Sequence, residues 1–337
     1  MLRLLLILTL IPLTMMVSSC FKEDQLIIPH TPGNYITDTV ALTESYQNQV
    51  YYNLLDSSIV GLNIRSIWDL GFESSPEGWR VILNSSCFMK SAYLPGQVFG
   101  TAVDTTGAIW MFNPSDGSAD SLAAGIWFTV NGNDTMGSNR LLLIDRGVDV
   151  KGNPRGFSQL MIDSLVNGTY YFRIAAMNGT NPKSYSVSKL EGVNHVLFSI
   201  SNPAETLTEP RNTSWDLLFT QYTTLLFTDV DDPYPYLVTG VMLNPKSTFV
   251  AIDSITPFQN INYVIAQSMN YTQQADIIGY DWKKYSFTSG TYTVNSSISY
   301  VIRDNKGFFY KLRFVGFYKF LNNRLQKGYP SFEYQKL

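Results

Sequence analysis

The chain of 337 residues has little charge and few of the side chains on which metal sites and nucleophilic enzymes depend. Lysine, arginine, aspartate and glutamate make up 15% of it, and the net charge of −3 argues against a nucleic-acid-binding face. It has two histidines, His30 and His195, and two cysteines, Cys20 and Cys87. No apolar run is long enough for a membrane-spanning helix.

Sequence patterns of catalysis are also missing. The chain has no Gly-x-Ser-x-Gly elbow, no His-Glu-x-x-His pair and no phosphate-binding glycine loop, so we expect no enzymatic activity. Asp229, Asp231 and Asp232 form an acidic cluster before Pro233 that is a candidate for calcium binding. The cluster lacks the order and the glycine of a calcium loop, which favours a solvated turn and leaves any metal unknown.

The first twenty residues have the order of an exported precursor. A basic start at Arg3 is followed by an almost unbroken apolar run over residues 4–17 and then by Ser18, Ser19 and Cys20. The stretch Ser18-Ser19-Cys20 resembles a lipobox. This resemblance implies that residues 1–19 are removed and that diacylglycerol and palmitate are attached to Cys20. A plain secretory peptide with a chance cysteine is the alternative interpretation.

Charged side chains follow Cys20 directly. Lys22, Glu23 and Asp24 are similar to the signal that sends some Gram-negative lipoproteins to the outer face of the outer membrane, and they also fit an ordinary solvated cluster. We predict display on the cell exterior, with residues 20–45 as a lipidated tether containing Pro29, Pro32 and Gly33. Because Cys20 is predicted to be lipidated, Cys87 has no disulfide partner, and we expect it to be a small buried hydrophobe.

The composition predicts an all-β fold. Twenty-one tyrosines, 20 phenylalanines and 6 tryptophans accompany many Thr, Ser, Val and Ile residues and frequent turn residues. Strands are predicted near residues 50–54, 68–72, 79–83, 140–144, 168–175 and 195–200. A hairpin joins residues 299–303 to 308–318 through a turn that ends at Gly307. Residues 271–284 are the one possible short helix, which Gly279 weakens.

The chain also repeats a short motif. The pattern Trp-Asp-Leu-x-Phe occurs at residues 68–72 and again at 215–219, each time after an aromatic strand. We therefore predict two related antiparallel β units in tandem, at residues 46–192 and 193–337. Trp68 and Trp215 are expected at equivalent buried sites, with a structural role for each Trp-Asp pair.

These strands resemble those of the HmuY-type haem-binding surface lipoproteins. The resemblance is best from about residue 196 to the C-terminus and weaker over residues 46–192. Besides the Trp-Asp strands, the segments that carry it are residues 278–283, 300–304, 309–314 and 327–334. It implies an all-β protein that captures haem and passes it to an outer-membrane receptor.

The haem ligands of the family do not match. In the best-known member a histidine follows the Trp-Asp strand, whereas this chain has Thr220 in one half and Glu73 in the other, and neither is a good iron ligand. The available candidates are Met242, Met269, His195 and Tyr222. Each also has an ordinary interpretation as a core, surface or capping residue.

Two classes of function therefore stay open. One is a ligand-capture module with haem or another porphyrin as its cargo. The other is a cofactor-free surface protein that binds a partner protein or a glycan through exposed aromatic side chains.

Overall fold

The computed structural model describes residues 31–131, 134–203 and 207–337. Within these ranges the backbone forms 23 strands in antiparallel sheets, which confirms the all-β prediction. One short helix, α1, covers Tyr263–Gln267, so the helix predicted at residues 271–284 was wrong. No helix in the described ranges has the length and apolar character needed to cross a membrane.

One pair of sheets encloses the first core. A five-stranded sheet has the order β1-β23-β22-β21-β18, and a four-stranded sheet has the order β17-β16-β2-β3. In that order the strands cover Tyr35–Thr39, Arg324–Lys336, Phe309–Leu321, Ser299–Arg303 and Phe249–Asp253, and then Pro233–Leu243, Leu217–Phe227, Asn48–Asn53 and Ser58–Ile64. Aromatic side chains of both sheets, among them Tyr52, Phe219, Phe314 and Phe332, are buried between them.

A second pair of sheets encloses the second core, which contains Phe72, Phe172, Phe198 and Trp127. The four-stranded sheet has the order β15-β14-β4-β5, with strands Leu207–Thr208, His195–Phe198, Leu70–Glu73 and Val81–Leu83. The larger sheet runs β13-β12-β11-β10-β6-β7 over Lys183–Ser188, Thr169–Ala176, Phe157–Val166, Leu142–Asp145, Lys90–Tyr93 and Trp110–Met111. The hairpin of β8 (Phe128–Asn131) and β9 (Asp134–Gly137) pairs with β11, and a separate two-stranded sheet joins β19 (Lys283–Ser286) to β20 (Thr291–Val294).

The two predicted halves exchange strands. The β2–β3 hairpin of the first half pairs with β16 of the second, where Tyr52 lies opposite Leu217. The β14–β15 hairpin of the second half pairs with β4 of the first, where Phe198 lies opposite Leu70. A tandem arrangement of two separate units is therefore not confirmed, because each core contains strands from both sides of residue 192.

The ends of the two Trp-Asp strands nevertheless have corresponding backbone contacts. The amide of Asp69 donates to the carbonyl of Phe198 at 2.8 Å, and the amide of Asp216 donates to that of Tyr52 at 2.9 Å. In turn Asp69 Oδ2 accepts from Ile200 N and Asp216 Oδ2 accepts from Leu54 N, both at 2.8 Å. Each aspartate thus closes a strand end of the exchanged hairpin, as expected for a structural side chain.

Two asparagines complete this correspondence. Asn84 Nδ2 donates to the carbonyl of Trp68 at 2.9 Å, and Asn244 Nδ2 donates to that of Trp215 at 2.8 Å. Both tryptophans are buried, as predicted. The repeat in sequence is therefore a repeat in structure, with its hairpins exchanged.

The folded part begins earlier than the predicted tether allows. Strand β1 pairs with β23, with Ile36 opposite Tyr334, and Val40 and Leu42 are fully buried in the first core. Ile36 packs against the same core as Val40 and Leu42, so the chain is already folded at residue 36 although Pro32 and Gly33 favour a spacer. Any spacer must therefore end before β1. The lipobox at Cys20 and the rest of the predicted anchor lie outside the described residues.

Other local predictions are confirmed. Strands β21 and β22 form the predicted hairpin, and Gly307 has a φ of 82° at the turn. Cys87 is fully buried, and burial raises the pKa of its thiol, as expected for an inert structural cysteine.

Candidate functional site

The position at which the family resemblance places an iron ligand is occupied by a closed hydrogen-bond network. Gln49 Nε2 donates to Thr220 Oγ1 at 3.2 Å. The indole of Trp68 and the amide of Asn63 both donate to Gln49 Oε1, at 3.0 and 2.9 Å. Thr220, Gln49 and Trp68 are all buried, and the network uses the polar atoms that point inward. Thr220 therefore has no role as a metal ligand here.

The corresponding residue of the other half, Glu73, is also committed to protein contacts. It accepts from Ser75 Oγ at 2.7 Å and lies 3.4 Å from Arg80 Nε and 3.9 Å from Lys246 Nζ. Burial by itself raises the pKa of Glu73, but the bond from Ser75 and the charge of Arg80 together lower it below its ordinary value. An ionised carboxylate with these partners stabilises the strand end.

The four candidate ligands do not meet at one point. His195, on β14, has its Nδ1 at 3.0 Å from Glu209 Oε1. Tyr222 and Met242 lie on neighbouring strands, but Met242 is opposite Leu218, four residues before Tyr222. That spacing is about 13 Å along the strand, too far for both to bind one iron.

Two of these candidates pack among apolar side chains of the core. Met269 packs with Tyr263 and Tyr271 against the small cluster behind β21 and β22. Tyr222 is buried, and burial raises the pKa of its hydroxyl, which disfavours the phenolate that binds iron. Their roles as haem ligands stay predictions. In the ranges that the structure describes, no group of three or more His, Cys, Asp or Glu side chains is arranged to hold a metal ion.

An open cleft lies beside the outer half of β16. Its volume is about 430 Å³, and it begins at Thr223, three positions after Thr220 (223 − 220). The opposite wall is the segment after β6, including β7. The residues that line the cleft are Trp110, Met111, Phe112, Asn113, Pro114, Ser115, Asp116, Ser121, Thr223, Thr224 and Leu225.

Hydrogen bonds hold the two walls together. Ser115 Oγ lies 2.8 Å from Thr224 Oγ1 and also donates to Asp276 Oδ2. The amide of Ala275 donates to the carbonyl of Asp116 at 2.9 Å. Ser115 and Asp116 are thus fixed against β16 and against residues 275–276, so the cleft is formed before any ligand arrives.

The cleft contains one soft donor that the sequence analysis did not single out. Met111 is 44% exposed and lies at the end of the short strand β7. A cation is close by, since Lys90 Nζ lies 5.1 Å from the centre of the Trp110 ring and 3.7 Å from Asp145 Oδ2. In the sequence this strand is indicated only by the run Trp110, Met111 and Phe112 between Gly107 and Pro114. The run is too short to show the two-residue alternation of a strand.

Comparison with known protein families identifies the family to which this chain belongs. The family model described as HmuY protein matches residues 45–334. The chain belongs to the HmuY family. No curated protein matches it.

Solved structures that are similar to this chain match it at low identity and low TM-score. Apo PinO from Porphyromonas gingivitis is 9% identical with a TM-score of 0.28, over 90% of this chain and 97% of that one. The apo HmuY analog of Tannerella forsythia is 7% identical with a TM-score of 0.25, over 91% and 98%. A candidate HmuY-like heme-binding protein from Bacteroides vulgatus is 14% identical with a TM-score of 0.18, over 52% and 90%. At these scores, membership rests on the family match.

Proposed function

We propose that this HmuY-family chain is a lipid-anchored protein of the outer-membrane surface that captures haem, or a related flat apolar ligand, and delivers it to an outer-membrane receptor. The cleft beside β16 carries the proposal. The exposed surface of its walls is mostly apolar and includes the rings of Trp110 and Phe112, and the cleft opens just beyond Thr220, near the position that the family resemblance gives to an iron ligand. Ligand pockets have this character, with a few polar groups for orientation.

The residues of the cleft suit a haem on chemical grounds. The thioether of Met111 is the soft donor there, and a methionine bound to haem iron raises its reduction potential. Phe112 and Leu225 would supply apolar walls. Lys90, which lies over the ring of Trp110 and pairs with Asp145, would supply a cation for a propionate at the edge of the cleft. Thr220 and Glu73 support the strands and take no part in ligation.

Titration of the purified protein with haemin tests the proposal. We expect a saturable Soret shift for the natural sequence, and Met111→Leu should weaken binding about tenfold or more, which is about 1.4 kcal/mol. Met136→Leu is the matched control, because Met136 on β9 is also 44% exposed and does not line the cleft, so this change should leave the affinity unaltered. A flat titration in both oxidation states, or equal losses in the two variants, would overturn the cleft as the haem site.

The anchor is the second part of the proposal. The apolar leader and Cys20 support a lipid attachment, and Lys22, Glu23 and Asp24 support export to the exterior. Cys20→Ser should abolish incorporation of labelled fatty acid, because the thioether needs the sulfur. Replacement of the three charged residues should reduce surface labelling while the lipid is kept, and unchanged labelling would remove the case for display.

A cofactor-free surface protein is the second candidate function. The observation in its favour is that both family ligand positions are closed, at Thr220 by Gln49 and at Glu73 by Ser75 and Arg80. A flat haemin titration would favour this function.

A further inference from the structure

Three hairpin ends leave large apolar side chains in water. We define the acidic hairpin as residues 227–236, the central hairpin as residues 284–292 and the basic hairpin as residues 318–327. Phe287 at the central tip is 93% exposed, Val230 of the acidic hairpin is 76% exposed, and Phe320 of the basic hairpin is 67% exposed. Large apolar side chains this exposed at the ends of neighbouring hairpins indicate an interaction surface.

The central hairpin has a neighbour on each side. The amide of Tyr292 donates to Tyr318 Oη at 2.7 Å, which joins the central hairpin to the basic one. On the other side the ammonium group of Lys283, directly before the central hairpin, donates to the carbonyl of Thr239 on β17, the strand that follows the acidic turn. The central hairpin lies between the other two.

The outer hairpins carry opposite charge. The acidic hairpin has Asp229, Asp231 and Asp232, and no lysine or arginine occurs between Asn212 and Pro245. The basic hairpin has the cations Lys319, Arg324 and Lys327, and Arg324 pairs with Glu44 while Lys327 lies over the ring of Tyr46 at 5.3 Å. Phe320 and Leu325 are opposite one another across that hairpin and form its apolar contact.

We propose that these three hairpins form the interface of a homodimer, in which the acidic hairpin of one copy docks on the basic hairpin of the other. A two-fold axis through the central hairpin makes this contact twice, since each residue pair then occurs in both directions. In such a dimer the negative side of each copy faces the positive side of the other, so one surface can bind a second copy of itself. The three segments are comparable to the roughly 20–30 residues a side of a stable interface.

Charge reversal tests the dimer, in a Cys20→Ser background that removes the lipid. One variant carries Asp229→Lys and Asp232→Lys, leaving Asp231 with its positive φ of 61° untouched. The other carries Lys319→Glu and Lys327→Glu, leaving the Arg324–Glu44 pair in place. Each alone should weaken dimerisation about tenfold or more in sedimentation velocity, because like charges then meet.

Mixing the two variants provides the decisive control. A surface that is now mainly basic and one that is now mainly acidic should associate, so at a concentration at which each variant alone sediments as a monomer the mixture should sediment as a dimer. Rescue by mixing excludes misfolding as the cause of dissociation, and added salt should weaken the natural dimer. The proposal is overturned by a natural chain that stays monomeric at the highest concentration, by a dimer that tolerates both reversals, or by a mixture that stays monomeric.

Discussion

The strand end at Trp68-Asp69 and the strand end at Trp215-Asp216 have the same backbone contacts and different electrostatic surroundings. Asp69 is fully buried and lies 2.9 Å from both Arg146 Nε and Arg155 Nη2. Asp216 is also buried, but within the described residues it has no ion pair. Burial raises its pKa to about 6, against an ordinary value of 3.8, and Asp304 adds to the shift while the bond from Leu54 opposes it.

The tryptophans differ in the same way. Trp68 donates its indole N–H to Gln49, whereas the indole nitrogen of Trp215 is buried with no hydrogen-bond partner in the part of the chain that the structure describes. His195 precedes Phe198 by three residues, as Gln49 precedes Tyr52, so the two side chains occupy corresponding positions on β14 and β2, and His195 contacts Glu209. The backbone contacts shared by the two strand ends therefore depend on the Trp, Asp and Asn residues. The polar residues beside them, Gln49 and His195, differ without changing these contacts.

Removal of either tryptophan should cause the largest loss of folding stability, and the loss should be similar at the two sites. Trp68→Ala and Trp215→Ala each delete a large buried aromatic side chain, so each should lower the free energy of unfolding by on the order of 3–5 kcal/mol. Urea denaturation measures both. A loss confined to one variant would show that the two sites are not structural equivalents.

Neutralising the aspartates should separate the sites at pH 7. Asp69→Asn leaves the guanidinium groups of Arg146 and Arg155 buried without their counter-charge, and should cost on the order of 3 kcal/mol or more. Asp216→Asn removes a carboxylate that has no such partner, and should change stability by less than about 1 kcal/mol or increase it. Equal losses in the two variants would refute the electrostatic difference.

The apolar patterns and the turn signals predicted eight strands, each of which overlaps one of the 23 strands in the described ranges, because these patterns are local. Which strands pair is a long-range property, and nothing in the segments around Tyr52 or Phe198 indicates that their hairpins change places. The helix predicted at residues 271–284 failed because Gly279, with a φ of 55°, exchanges backbone hydrogen bonds with Val241 of β17. At the candidate site, Met111 was missed because the cleft forms only when residues 110–116 fold against β16.

The pH dependence of stability sharpens the difference at Asp216. Its raised pKa means that the folded state binds the proton more tightly, so the stabilising contribution is complete below pH 3.8 and is lost as the pH rises through about 6. The natural chain should therefore lose up to about 3 kcal/mol relative to Asp216→Asn between pH 4 and pH 7, at about 1.4 kcal/mol for each pKa unit. Urea titrations of both proteins across this range measure the difference, and parallel curves would contradict it.

Exchanging the two polar neighbours should have the smallest effect. Because Gln49 accepts from the indole of Trp68, we expect the side-chain carbonyl of Gln in His195→Gln to accept from the unpartnered indole N–H of Trp215, and its amide to donate to Glu209 in place of the imidazole. The new hydrogen bond offsets the lost ring contacts, so the free energy of unfolding should change by less than about 1 kcal/mol. The reverse change, Gln49→His, is the matched control and should cost more, since Gln49 accepts from Trp68 and Asn63 and donates to Thr220. If His195→Gln proved the more costly of the two, the imidazole would be stabilising the second site through contacts beyond Glu209, and the two polar positions would not be interchangeable versions of one site.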